Sequence, residues 1–261
     1  ALSGLVWAHH MYMTGWAPST NYPFMLSTEL ISIPVGFLVL VVIGTMWRGL
    51  VWTRLPVLAV YAVIFNKMIG GVTGIYLSDV PADQYFHGSV FVVAHFHYML
   101  MGAALFAAMA GLAFYFPKMT GRVLDERTAS IGFWTAFVGF QVTFMAMFVA
   151  GLQGMPRRVL QFDSLFNAPN QIATVGAYII GIGMLIFAGA VVYSWSSGDR
   201  APANPFGSKS LEWQTPTPVP LENFAVLPVI SERPYTYGVP DPYENVSLNS
   251  ERKPDAQRVG G

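Results

Sequence analysis

The chain has 261 residues, no cysteine and a formal net charge of zero. It is 54% hydrophobic and only 11% charged, whereas soluble domains average about 25% charged residues. The balanced charge gives no electrostatic reason to expect a nucleic-acid partner. The absence of cysteine excludes thiolate metal sites and disulfides. The composition therefore predicts a membrane protein in which imidazole is the favoured ligand for copper, iron or zinc.

Apolar runs of about 20 residues are needed to cross a bilayer. We predict an all-α, polytopic transmembrane helix bundle with five full spans, at approximately 27–47, 51–77, 89–116, 128–152 and 171–195. The apolar stretch 1–8 is too short to span and is predicted to be the last turns of a further helix. We expect two regions: a transmembrane bundle over 1–196 and a polar tail over 197–261, which holds ten of the 18 prolines.

Loop charges predict the orientation of the bundle. Five cations lie in two alternate loops: Arg48, Arg54, Lys118, Arg122 and Arg127. By the positive-inside rule these loops and the tail are cytoplasmic. Arg157 and Arg158 lie on the opposite side and are an exception to this rule, which predicts a specific anionic partner for them. That partner is either a cofactor carboxylate or a lipid headgroup.

All five histidines lie in hydrophobic sequence within the first hundred residues: His9, His10, His87, His95 and His97. Ionisable side chains in a membrane are costly unless they are partnered, so these histidines are functional candidates. Residues two apart on a helix point about 200° apart. His95 and His97 therefore serve two cofactors on opposite sides of one helix, or they are buried histidines bonded to neighbouring helices.

The adjacent residues His9 and His10 differ from His95 and His97, because their side chains could point the same way and share one ion. Two neighbouring imidazoles point the same way only where the chain departs from a helix, and Gly15, Pro18 and Pro23 indicate such a departure. The pair then binds one copper ion with ligands from elsewhere. The alternative is a histidine pair at the membrane surface.

Together these motifs resemble subunit I of the haem-copper oxidases, specifically the bacterial A-type cytochrome c oxidases. Four stretches carry the resemblance, in order and spacing: VWAHHM (6–11), GGVTG (70–74), VVAHFHY (92–98) and GMPRR (154–158). It extends from the first residue to about Trp195.

The resemblance implies roles for individual residues. His9 and His10 match two of three copper ligands, His95 the axial ligand of a high-spin haem, and His97 an axial ligand of a low-spin haem. Arg157 and Arg158 match the arginines that bind the haem propionates. Asp83 matches an acid near a propionate, and His87 matches a magnesium ligand. The implied cofactors are two haems of the A type, copper and magnesium.

The resemblance also implies a larger enzyme. The chain matches the C-terminal half of a twelve-helix subunit, from the end of the seventh helix, and would not be active alone. Its implied partners are the N-terminal half of subunit I, oxidase subunits II and III, cytochrome c and membrane lipids. The enzyme would reduce dioxygen to water and pump protons across a bacterial inner membrane rather than a mitochondrial one. The alternatives are a quinol oxidase and a non-redox multipass transporter.

Three positions depart from the family pattern. Gly88 stands where an aspartate is usual beside the magnesium ligand. Val35 and Leu38 stand where one proton channel has a threonine and a lysine, and neither apolar side chain relays a proton. Lys67, in the middle of the next span, is the candidate substitute: it either faces a wet cavity or pairs with Glu29 or through Asn66.

Overall fold

The computed structural model describes residues 2–49, 51, 53–208 and 210–226. Two 3-10 helices, Leu2–Leu5 and Trp7–Met11, begin the chain. Nine α-helices follow in the described part: α1 (Pro18–Leu30), α2 (Ser32–Met46), α3 (Leu55–Ser78), α4 (Val80–Phe86), α5 (Val90–Met99), α6 (Met101–Thr120), α7 (Glu126–Leu152), α8 (Asn167–Ser197) and α9 (Leu211–Gln214). Helices dominate and the described residues form no strand, which confirms the all-α prediction.

Five helical segments are long and apolar enough to cross a membrane. They are Pro18–Met46, Leu55–Ser78, Val90–Thr120, Glu126–Leu152 and Ser164–Ser197. The predicted number of spans is confirmed. The first span begins at Pro18 rather than near residue 27, because the polar residues of α1 are helical as well. The opening residues are helical in the tighter 3-10 form, and 227–261 of the predicted tail lie outside the described residues.

The chain divides into two compact units. The first comprises 1–111 and 126–188, and the second comprises 112–125 with 189–261. The candidate site residues all belong to the first unit. This division differs from the predicted boundary near residue 196, since the second unit also takes in the end of α6.

Helix α5 packs against both α3 and α7 at the centre of the first unit. Its Tyr98 is fully buried, with its ring 5.0 Å from Phe140 and 5.5 Å from Phe148 between centroids. A Cβ at Gly151 of α7 would lie 2.5 Å from the Cβ of Phe91, so only glycine permits this approach of α5 and α7. The helix that carries His95 and His97 is therefore held on two sides.

Helices α7 and α8 meet through their backbones. A Cβ at Gly132 would lie 2.5 Å from the amide nitrogen of Phe187, and one at Gly139 would lie 2.6 Å from that of Ile180. Small residues permit such close contact between membrane helices, where van der Waals packing replaces the hydrophobic effect. The glycines of α7 therefore have a packing role.

In the second unit, Lys118 anchors the segment that follows α8. Its Nζ donates to the carbonyl oxygens of Ala203 (2.8 Å), Trp213 (3.2 Å) and Thr215 (2.5 Å), and the residue is only 5% exposed. The sequence assigned Lys118 to a cationic loop, but it lies in the last turn of α6. Lys118 can be buried at this position because its three N–H donors pair with carbonyl groups that would otherwise lack a partner.

Candidate functional site

One cavity of about 320 Å³ brings most of the predicted site residues together. Its lining includes six of them: His9, His10, Asp83, His87, His95 and Arg157. Three others, His97, Arg158 and Lys67, do not line it. These six side chains come from the opening 3-10 helix, from α4, α5 and from the loops after α4 and α7.

The imidazoles of His9 and His10 face each other. Their Nε2 atoms lie 3.1 Å apart, although the residues are neighbours in the 3-10 helix Trp7–Met11. This separation is less than twice a metal–nitrogen bond of about 2 Å, so one ion can reach both nitrogens. Burial, followed by the charges of His10 and His95, lowers the pKa of His9 to about 4. A neutral imidazole is the form that binds a metal.

The pair does not complete a metal site within the described residues. No group of three His, Cys, Asp or Glu side chains in that part of the chain could hold an ion. A copper ion bound here would therefore need at least one ligand from another segment. The residues fit a shared copper site, and they do not fit a complete one.

His95 points into the cavity from α5. Its Nδ1 lies 3.1 Å from the hydroxyl oxygen of Thr73 on α3. A Cβ at Gly74, one residue further on, would lie 2.9 Å from the Cε1 of His95. The Thr73 contact fixes the ring orientation, and Gly74 makes room for the ring. The Thr73 contact engages the Nδ1 of His95, and the ring lines the cavity.

His97 points to a different side of α5. Its Nδ1 donates to the carbonyl of Val93 at 2.8 Å, and its ring stacks on Phe144 of α7 at 4.4 Å and an interplanar angle of 18°. The structure thus separates the two histidines as their azimuths predict. In the described part of the chain, the Nε2 of His97 is without a hydrogen-bond partner, so this ring presents one nitrogen on its own side of the helix.

Asp83, buried in α4, pairs with the half-buried His87 just after that helix. The Asp83 carboxylate is 4% exposed and its Oδ2 lies 2.8 Å from the Nδ1 of His87. Burial raises the pKa of Asp83, and the hydrogen bond from His87 opposes that shift. Gly88 has φ +74°, a left-handed conformation that favours glycine, so this departure from the family pattern has a backbone reason.

The two arginines lie on a short antiparallel contact between the ends of α5 and α7. The amide of Val90 donates to the carbonyl of Met155, and that of Arg157 donates to Gly88, both at 2.9 Å. Arg157 is half-buried against the cavity, whereas Arg158, at φ 65°, is exposed. The turn at Arg158 sends the two side chains to different environments.

Lys67 is half-buried on α3. Within the described residues it makes no hydrogen bond or ion pair with Glu29 or Asn66, the two partners that its sequence context suggested. Asn66 instead bonds to Gly102 and Gln141. Of the two residues that depart from the family's proton channel, Leu38 is 64% exposed and Val35 lines the cavity.

Sequence reasoning missed the contribution of Thr73 and Gly74. Both belong to the GGVTG stretch, which was used as a family motif only. Gly70 and Gly74 lie four residues apart on one helix face, and this spacing indicates close approach to a neighbouring helix. That signal was available in the sequence, but the identity of the approaching residue was not.

The fold is a bundle of membrane-length helices, and the candidate site combines the histidines of α5 with those of the 3-10 helix Trp7–Met11. A family model described as Cytochrome C and Quinol oxidase polypeptide I matches residues 1–179. The chain belongs to this family, and it is an integral membrane protein.

Curated relatives extend the comparison beyond the match to the family model. The chain is 38% identical over 234 residues to cytochrome c oxidase subunit 1 of Thermostichus vulcanus, which covers 90% of this chain and 42% of the relative. It is 43% identical over 239 residues to the same subunit of Corynebacterium efficiens, covering 90% and 41%. The chain thus spans about two fifths of the length of these relatives.

A solved structure supports the fold alone. A chain of a heme-copper terminal oxidase dimer, determined by cryo-EM, superposes with a TM-score of 0.67 at 20% identity. The superposition covers 77% of this chain and 41% of that chain.

Proposed function

We propose that this chain contributes ligands for two haems and one copper ion to a cytochrome c oxidase. The complete enzyme would take electrons from cytochrome c, reduce dioxygen to water and couple this reaction to proton transport. One observation carries the proposal: His9, His10 and His95 line one cavity, while His97 projects from another side of the same helix. Family membership and the names of the relatives support it.

The chain's own residues would act mainly by holding and orienting these groups. Haem iron and copper supply the electron-transfer chemistry when bound. His95 would hold one iron with Thr73 orienting its ring, and His97 would hold the other with Val93 and Phe144 fixing its plane. His9 and His10 would hold the copper. Arg157, half-buried at the same cavity, would neutralise a haem propionate, with Arg158 offering a second, more exposed charge.

Magnesium fits the described residues poorly. His87 is the candidate ligand, but its Nδ1 is engaged by Asp83. Magnesium prefers oxygen ligands in octahedral geometry, and Gly88 offers no side-chain oxygen. Within the described part of the chain we therefore assign Asp83 and His87 to an acid–imidazole pair beside the cavity and derive no step through magnesium.

The incomplete copper site supports assembly of this chain with the remaining part of subunit I. The third copper ligand and the second axial ligand of the low-spin haem would come from the remaining part of subunit I. Subunits II and III and a bacterial inner membrane complete the proposed setting, with the C-terminal segment on the cytoplasmic side. The bacterial relatives support that membrane.

The experiment compares histidine variants in the purified, assembled complex. His95→Ala should remove the high-spin haem signal, and His97→Ala should remove the low-spin signal, because the two rings serve different sides of α5. His9→Ala should lower copper content by elemental analysis while both haems stay. The pyridine haemochrome assay gives the haem type and amount. Loss of the same single haem in both α5 variants would refute the assignment.

A quinol oxidase is the second candidate, because the matched family includes quinol oxidases. Both enzymes would share the histidine sites, so haem and copper content do not separate them. Oxygen consumption by the purified complex, with reduced cytochrome c or with a quinol as the donor, does. We expect turnover with cytochrome c, and turnover with the quinol alone would reverse this choice.

A further inference from the structure

A hydrogen-bonded chain of three polar side chains, two of them buried, crosses the first unit close to the two histidines of α5. The Tyr98 hydroxyl donates to the Oε1 of Gln141 at 2.7 Å. The Nε2 of Gln141 donates to the Oδ1 of Asn66 at 2.8 Å, and the Nδ2 of Asn66 donates to the carbonyl of Gly102 at 2.9 Å. This Tyr98–Gln141–Asn66 chain links α5, α7, α3 and the first turn of α6.

The chain is fully buried at both ends. Tyr98 and Asn66 are each 0% exposed. An unpaired polar group in such a position costs about 1–3 kcal/mol, so every member depends on its neighbour. A Cβ at Gly102 would lie 3.0 Å from the Cβ of Asn66, which shows how closely the two backbones approach here. Hydrogen bonds of this kind hold one relative arrangement of the helices.

Tyr98 is placed to fix the rotation of α5 about its own axis. It lies three residues after His95 and one after His97, so on a helix it is about 60° from the first and 100° from the second. A rotation of α5 by about 10° would move atoms near its outer radius by ~1 Å. Ligand positions need tolerances of about 0.5 Å and 10–20°. A small rotation would therefore misplace both imidazoles.

We propose that the Tyr98–Gln141–Asn66 chain is a positioning device that sets the rotation of α5 and, through it, the orientation of both His95 and His97 toward their haems. This inference rests on the proposed function, because it assumes that the two histidines bind haem iron. None of the three residues lines the cavity into which His95 points, so they would act through the histidine helix.

Packing alone would not give the same constraint. The Tyr98 ring contacts Phe140 and Phe148, and these contacts remain when the hydroxyl is removed. Aromatic contacts are broad in angle, whereas the hydroxyl–amide bond requires a narrow direction. Tyr98→Phe therefore tests the hydrogen bond while leaving the packing in place.

The test uses the assembled oxidase complex in membranes, with Tyr98→Phe, Gln141→Leu and the double variant. We expect both haems to be retained, with a shift of the low-spin electron paramagnetic resonance signal and of the reduced-minus-oxidised bands of both haems. Gln141→Leu removes two bonds, to Tyr98 and to Asn66, and the first of them is the bond that Tyr98→Phe breaks. The double variant should therefore shift no further than Gln141→Leu alone. If Gln141→Leu fails to assemble, Tyr98→Phe still decides.

Tyr115→Phe is the matched control. It removes another tyrosine hydroxyl bond, to Glu212 at 3.3 Å, from the same membrane span, and the spectra should stay at wild-type positions. A lower melting temperature of Tyr98→Phe with unmoved spectra would overturn the inference, as would a shift of only one haem. A wild-type complex without haem would instead refute the proposed function, so the two failures are distinguishable.

Discussion

Gly74 occupies a position beside the His95 ring where the structure leaves no room for a larger side chain. A Cβ there would lie 2.9 Å from the Cε1 of His95, closer than ordinary carbon–carbon contact. The hydroxyl oxygen of Thr73 lies 3.1 Å from the Nδ1 of the same ring. Two consecutive residues of α3 therefore determine where the imidazole lies.

Gly74→Ala should displace the His95 ring and shift the absorption of the haem that it binds. The physical reason is the collision with Cε1, which the ring relieves only by moving. The measurement is the carbon-monoxide difference spectrum of reduced membranes. Gly111→Ala is the control, since a Cβ there meets nothing within 4 Å. An unshifted spectrum for Gly74→Ala would mean that the ring adjusts without consequence for its iron.

We propose Lys67 as a proton-relay residue, in place of the route that the family resemblance implies at Val35 and Leu38. It is half-buried in a membrane-length helix and has no ion pair among the described residues. Placing an uncompensated lysine at mid-membrane costs about 2.5–3.5 kcal/mol on insertion scales, so a function is a reasonable explanation for its presence.

Lys67→Met should slow reduction of the high-spin haem while both haems remain assembled, because the variant keeps the length of the side chain and loses its proton-binding group. Stopped-flow reduction of the purified complex measures the rate, and the haem spectrum checks assembly. Reduction and turnover at the wild-type rate in Lys67→Met would leave the lysine with a structural role only.

At the scale of whole helices, the length of the apolar runs predicted the number of spans and the position of the histidine helix. It did not predict that the third span is divided at Leu100 between α5 and α6, because its apolar composition is unbroken there. The sequence also did not predict the hydrogen bond between Gln141 and Asn66, since these residues are 75 positions apart. Neither residue has a local pattern that indicates the other.

The contact of α7 and α8 gives a prediction at the same scale. Gly183→Ala should destabilise the folded chain by about 1–3 kcal/mol, a typical cost of overpacking, because its Cβ would collide with the backbone of Ala136. Gly181→Ala, two residues away with nothing within 4 Å, should have little effect. Loss of haem absorption during heating in detergent measures both. Equal stability of the two variants would contradict the backbone contact.

At the scale of the whole molecule, the proposed orientation places the tail inside the cell. This chain has no cysteine, so labelling of a thiol introduced into it, above the background of the unchanged complex, reports the side on which that thiol lies. Leu160, between α7 and α8, is 96% exposed, and Met119, at the end of α6, is 64% exposed. Along the chain, Met119 precedes α7 and Leu160 follows it.

Leu160→Cys should react with a membrane-impermeant maleimide in intact cells, and Met119→Cys should react only after permeabilisation. The expected difference follows from the cations near Met119, since positively charged loops stay on the cytoplasmic side. Labelling of the complex without an introduced cysteine is the background control. The reverse labelling pattern would invert the topology proposed for the chain.

The antiparallel contact between the beginning of α5 and the loop after α7 has a further consequence. Val90 and Arg157 are held by two backbone hydrogen bonds, each 2.9 Å long, and His95 follows Val90 by a helical rise of about 7.5 Å. Under the proposed function, this contact would fix the distance between a haem-iron ligand on α5 and the charge of Arg157 beside the haem propionates. A change that breaks either backbone hydrogen bond would then alter both ends of the haem site together.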